Sequence, residues 1–173
     1  MRFKDKSVIV TGGGGKIGKA YAMAFAKEGA KVSLPDIASA DHVVKAIQDM
    51  GGTAISSACD VSDEKSVKMM VDETAKQFGG VDILVNNAAY FMTVWKGPFW
   101  EMAVDEFDKA MAVNVRGSWL CAKAAFPHMK KHGKGKIINI SSGTALNGSP
   151  NYIHYVTSKG AIIPMTRAMA REL

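Results

Sequence analysis

Ser7-Val8-Ile9-Val10-Thr11-Gly12-Gly13-Gly14-Gly15-Lys16-Ile17-Gly18 is the stretch on which the fold turns. Its first half is β-branched, which favours extended chain. Four consecutive glycines then remove every side chain from the turn, and a helical pattern opens directly behind them. Ile17, Tyr21, Ala24 and Phe25 recur at helical spacing, and Gly29 ends that helix. A strand that passes through such a turn into a helix can cradle phosphate. The bare backbone comes close to the anion, and the first helical N–H groups point at it. On its own the same turn would also serve as a plain flexible connection.

Outward from that point, strands and helices alternate. Lys31-Val32-Ser33-Leu34 reads as a second strand stopped by Pro35, and Asp41 to Met50 as a helix closed by Gly51-Gly52. Ala54 to Cys59 is a third strand. Ser62-Asp63-Glu64 starts the next helix, with a capping hydroxyl and acids in its first turn. Val67, Met70, Val71 and Phe78 supply its buried face. Ile83-Leu84-Val85, apolar throughout, is a strand covered on both faces. An aromatic-rich loop leads to a helix from Val104 to Lys131, then a strand from Ile137 to Ile140, then a helix that holds Tyr155 and continues to Leu173. Alternation at this spacing means βαβ units and right-handed crossovers. The expected fold is α/β: a doubly wound parallel sheet with helices on both faces, one domain over residues 1–173.

Composition narrows the function. The formal net charge is +6, but the lysines are dispersed, and the dense run Lys130 to Lys136 reads as a solvated helix end and turn. Nucleic acid is therefore not an expected partner, nor is a membrane, since no apolar run approaches the ~18 residues of a span. Cys59 and Cys121 lack metal-type spacing and read as buried small hydrophobes in a reducing compartment, with the cytoplasm as default and no metal expected.

Ligands of an open parallel sheet bind beyond the strand C-termini. Asp36, at the end of the second strand, can accept hydrogen bonds from both adenosine ribose hydroxyls and would repel a 2′-phosphate, which favours NAD over NADP. It could equally cap a turn. Asp60-Val61 could embrace an adenine ring or simply form a turn. Further on, Tyr155-Val156-Thr157-Ser158-Lys159 puts a phenol and an ammonium one helical turn apart on one face. Hydride transfer to a ketone creates an alkoxide that needs a proton, and the reverse reaction needs a base. A free tyrosine ionises near pH ~10, and a neighbouring cation brings that down. Ser142, thirteen residues before Tyr155 at the end of the fifth strand, could hold the substrate oxygen beside the phenol.

Together, the glycine-rich turn, Asp36, Asp60, Asn86-Asn87-Ala88-Ala89, Asn114, Ser142 and Tyr155/Lys159 stand in the order and spacing of the short-chain dehydrogenases/reductases, and the chain resembles that family over essentially all of its length. The resemblance implies a Rossmann-like fold. It makes Tyr155 the general acid/base, Lys159 its activator and ribose ligand, and Ser142 the substrate-oxygen binder. Asn114 would sit at a helix irregularity that supports a proton relay. Gly12, Gly14, Gly15, Lys16, Ile17, Gly18, Asp36, Asp60, Val61, Asn87 and Ala88 would hold the cofactor with Tyr155 and Lys159. Two positions depart from the family pattern: Lys16 stands where a glycine is usual, and Ala89 ends the Asn-Asn-Ala motif. Pro164 should bend the last helix just past Lys159.

Family members run to about 250 residues by the same resemblance, adding a sixth strand, a lid and a seventh strand. A sequence that stops inside a helix at Leu173 therefore reads as a piece of a longer enzyme rather than a naturally short one. Tyr90, Phe91, Met92, Val94, Trp95, Ala145, Leu146, Tyr152 and His154 should flank the centre, His154 as a pocket wall, and suggest an apolar or cyclic alcohol or ketone. By the same resemblance the two long helices would pack between subunits, implying a homo-oligomer, tetramer or dimer. The competing reading is a dinucleotide-binding protein without catalysis, either as an inactive truncated fragment or in a regulatory role.

Overall fold

The computed structural model describes residues 1–173. Five parallel strands form one sheet: β1 (Ser7–Val10), β2 (Lys31–Asp36), β3 (Thr53–Ala58), β4 (Ile83–Asn86) and β5 (Lys136–Asn139), in spatial order β3-β2-β1-β4-β5. Helices α1 (Lys16–Lys27), α2 (Asp41–Gln48) and α3 (Glu64–Phe78) connect the first four strands. Between β4 and β5 run α4 (Val104–Met111), a π-helical segment (Ala112–Arg116) and α5 (Gly117–Lys131). A short α6 (Thr144–Asn147) and the long α7 (Ile153–Glu172) complete the chain. The doubly wound, Rossmann-like architecture expected from the alternating pattern is the one observed.

Alternation along the strands makes two cores. Val8 and Val10 pack with Leu34, Ala22, Ala26, Val43 and Ile47 on one face of the sheet. Ile9 packs with Leu84, Val67, Met70, Leu120 and Cys121 on the other. Side chains that alternate across a pleated strand require such a division. The order of strands reverses at β1/β4, and the crevice above their C-terminal ends is where this topology places ligands.

Three expectations need correction. β2 does not stop at Pro35 but runs through it to Asp36, with Pro35 paired to Ser57 and Asp36 to Ala58. Its missing N–H does no harm, because pairing with β1 ends two residues earlier, at Ser33 and Ile9. The buried face of α1 is Gly18, Ala22 and Ala26; Ile17 and Ala24 are exposed, and Tyr21 and Phe25 are partly buried. Small residues let that helix lie close to the sheet. The cap of α3 is the Asp63 carboxylate, which accepts from the Ser66 N–H at 2.8 Å, rather than the Ser62 hydroxyl. The helix expected from Val104 to Lys131 carries a π-helical segment at Ala112–Arg116, where the resemblance implied an irregularity around Asn114, and the Gly117 N–H donates to the Ala112 carbonyl. α7 runs on through Pro164 as one element.

Candidate active site

The glycine turn is tightly determined. Gly12 lies at φ +67°, and its N–H donates to the Pro35 carbonyl at 2.8 Å. A Cβ on Gly18 would lie 2.1 Å from the Gly12 oxygen, so only glycine fits where α1 begins. Gly15 precedes the helix without a side-chain cap. The N–H groups of Lys16, Ile17 and Gly18 make no backbone bond outside the helix, and no acceptor precedes them within it. Three unused donors and a bare turn fit a diphosphate. Lys16 and Ile17 are exposed beside them.

Two neighbours brace this turn. Asp36 accepts from the Gly14 N–H at 2.9 Å with one oxygen and from the Ala38 N–H at 3.0 Å with the other. Thr11 Oγ1 accepts from the N–H groups of Asn87 (3.1 Å) and Ala88 (3.0 Å), while Asn87 Nδ2 donates to the Thr11 carbonyl at 2.8 Å. The turn and the segment after β4 are thus stapled together. Thr11 was visible in the opening motif, yet nothing in one sequence indicates that its hydroxyl points across to β4. Asp60, by contrast, closes a turn: its carboxylate accepts from the Ser62 N–H (2.8 Å) and hydroxyl (2.7 Å). Val61 is buried against Gly117.

At the other side of the crevice, Tyr155 and Lys159 share a face of α7. The Lys159 ammonium lies 5.9 Å from the centre of the Tyr155 ring and donates to the Ile140 carbonyl at 2.8 Å. Lys159 is 3% exposed, and this burial lowers its pKa to about 8. Ser141 Oγ donates to the Lys159 carbonyl at 2.7 Å, a tie the sequence reading missed. These bonds seat α7 on the end of β5, two residues from Ser142. The Ser142 oxygen accepts from the Thr144 hydroxyl at 2.9 Å.

Asn114 lies in the π-helical segment, fully buried. Its Oδ1 accepts from the Tyr90 N–H (2.7 Å), and its Nδ2 donates to the Tyr90 carbonyl (3.3 Å) and to Ser158 Oγ (2.9 Å). The extra residue per turn directs this side chain away from its own helix and onto the aromatic loop and α7. Of the expected pocket residues, Phe91 and Tyr152 stand near Tyr155, with ring centres of Phe91 and Tyr155 4.4 Å apart. Val94 is buried instead, and Met92 and Leu146 are open to solvent. His154 is no pocket wall: it is fully buried with neither ring nitrogen bonded, and burial lowers its pKa against an opposing effect of Glu106.

The bare glycine turn, the phenol–ammonium pair and the Ser142 hydroxyl stand at the rim of a Rossmann-like sheet, where a fold of this α/β class binds its ligands. The chain belongs to the short chain dehydrogenase family, whose model matches residues 6–173. It is 42% identical over 172 residues to an uncharacterized oxidoreductase of Thermotoga maritima, covering 98% of this chain and 66% of that one. It is 37% identical over 176 residues to the 7alpha-hydroxysteroid dehydrogenase of Escherichia coli K12, covering 100% of this chain and 67% of that one. Among solved structures, NAD+-bound xylitol dehydrogenase superposes with a TM-score of 0.95 at 34% identity, covering 99% of this chain and 66% of that one. The chain spans about two thirds of the length of these relatives.

Proposed function

We propose that this chain carries the cofactor site and proton-transfer groups of an NAD-dependent dehydrogenase that interconverts a secondary alcohol and a ketone, with Tyr155 as general acid/base. The observation that carries this reading is the Lys159 ammonium, 5.9 Å from the Tyr155 ring and anchored to Ile140 at the tip of β5. Tyr155 is thereby placed to take the alcohol proton in one direction and return it in the other. Ser142 holds the substrate oxygen through its hydroxyl, and Asn114 keeps the loop and α7 in register. The nicotinamide cofactor supplies the hydride acceptor or donor. Its diphosphate belongs at Gly12, Gly14, Gly15, Lys16, Ile17 and Gly18, its adenosine ribose at Asp36, its nicotinamide ribose at Lys159, its adenine by Asp60 and Val61, and its middle by Asn87 and Ala88. A carboxylate at Asp36 would repel the 2′-phosphate of NADP, which makes NAD the preferred cofactor of this reading. The names of the relatives, a 7alpha-hydroxysteroid dehydrogenase and a xylitol dehydrogenase, support an alcohol as substrate. The aromatic loop favours an apolar or cyclic one, and a homo-oligomer is the working form.

The test follows NADH absorbance with NAD and a panel of cyclic, aryl and acyclic secondary alcohols. Tyr155→Phe should cut kcat by about 10³-fold or more while NAD still binds, since a positioned acid/base alone contributes roughly 10²–10⁴. Cofactor binding without turnover in the unaltered chain would make it a dinucleotide-binding protein instead. Equal use of NADP would overturn the role of Asp36.

A further inference from the structure

Phe91 follows directly on Tyr90 in the loop after β4, and its ring lies against Tyr155. The ring centres are 4.4 Å apart with 38° between the planes, a contact at the close end of aromatic pairs. On to Tyr152 the separation is 6.1 Å and the angle 31°. The Lys96 ammonium stands 5.7 Å from the Tyr152 ring and the Lys159 ammonium 5.9 Å from the Tyr155 ring. Three rings in series, with a cation at each end, join the loop to the start of α7.

The loop that delivers Phe91 is tied down on either side of it. Tyr90 is held through both backbone groups by Asn114, and its hydroxyl donates to Glu106 Oε2 at 3.0 Å. The Lys109 ammonium sits 4.5 Å from the Tyr90 ring. Behind Phe91, Val94 is buried and the Trp95 N–H donates to the same Glu106 oxygen at 3.4 Å. An aromatic side chain left 38% exposed on so constrained a loop is not there to fill a core. A phenol swings about χ1 and χ2, and neither of its polar neighbours on α7 bonds its hydroxyl.

We propose that Phe91 is a positioning residue for Tyr155: its ring sets the tilt of the phenol and keeps water from one part of it, so that the hydroxyl meets the substrate oxygen at one angle. This rests on Tyr155 being the acid/base. Misplacing a reacting group by about 1 Å costs roughly 10²-fold in rate.

The experiment compares the unaltered chain with Phe91→Ala, Phe91→Leu and Phe91→Tyr. Ala and Leu should lower kcat about tenfold to a hundredfold, leave the NAD dissociation constant unchanged and move the midpoint of the pH–rate profile, while Tyr restores both rate and midpoint. Full activity in Phe91→Leu, or a lowered rate with an unmoved midpoint that Tyr does not rescue, would overturn the proposal. A second measurement needs no turnover: the Tyr155 signal of ring-¹³C-tyrosine protein, assigned with Tyr155→Phe, is titrated with pH. If no alcohol or ketone is turned over, the dehydrogenase reading fails, and with it the catalytic purpose of the contact, while this titration still decides whether Phe91 positions the phenol. A displaced curve in Phe91→Leu upholds the proposal and coincident curves refute it.

Discussion

Lys159 carries an ammonium into a site where little water reaches it, and the protein bears a cost for that. Its pKa falls to about 8 from the 10.5 of a free lysine, and desolvation is the cause. Below pH 8 it is charged whether the chain is folded or not, so the whole penalty of burying the charge opposes folding. Between about 8 and 10.5 the unfolded chain binds more protons, and stability rises with pH across that window. The shift corresponds to about 3 kcal/mol, less about 1 kcal/mol for the bond to Ile140. Lys159→Met should therefore stabilise the chain at pH 7 by about 2 kcal/mol in urea titrations, with the gain shrinking toward pH 10, and yet abolish turnover. A less stable variant at pH 7 would show that the ammonium is structural. At this scale much could be read from the sequence alone: Tyr155 and Lys159 declare themselves because four residues bring a helix back to the same face. What stayed hidden depends on distant partners. The Ser141 hydroxyl shows its bond to the Lys159 carbonyl only once α7 is seated on the sheet, and Cys59 and Cys121, buried as expected, gave no hint that burial drives the Cys121 thiol up to about 12.

Among the elements, the first turn of α1 is the least forgiving. A methyl group on Gly18 would lie 2.1 Å from the Gly12 oxygen, and that atom is backbone. Gly18→Ala should lower stability by about 1–3 kcal/mol through forced displacement and weaken NAD binding at least tenfold; unchanged NAD affinity by calorimetry would count against a diphosphate at this turn. The elements themselves were legible because hydrophobic runs and glycine stops recur at regular spacing. The errors came where a tertiary neighbour overrides a local signal. Pro35 looked like a strand terminator, but the strand beside it had already ended. The face of α1 was misassigned because close approach to the sheet selects Gly18, Ala22 and Ala26, which carry little hydrophobic signal. The π-helical segment is signalled by the family resemblance at Asn114 and by no pattern of residue types, since one extra residue in a helix changes none.

For the whole molecule, the unequal burial of the strands is informative. β1 and β4 are buried throughout, whereas β5 alternates, with Ile138 42% exposed at the sheet's edge. The outer face of the helical layer also carries large apolar groups: Trp119 and Phe126 on α5 are exposed, and Met111, Val115 and Met165 line a hollow with Trp119. A face like this is expected to meet a second copy. Trp119→Asp should move the sedimentation profile at micromolar concentration toward the monomer; an unchanged profile would place the contact elsewhere. The bracing of the glycine turn has a bearing on redesign. Because both oxygens of Asp36 latch the backbone at positions 14 and 38, exchanging that residue to admit a phosphorylated nucleotide would also release the loop that must receive it. Libraries aimed at switching redox carriers should vary 14, 36 and 38 as one unit, since a lone exchange at 36 alters the lock together with the key.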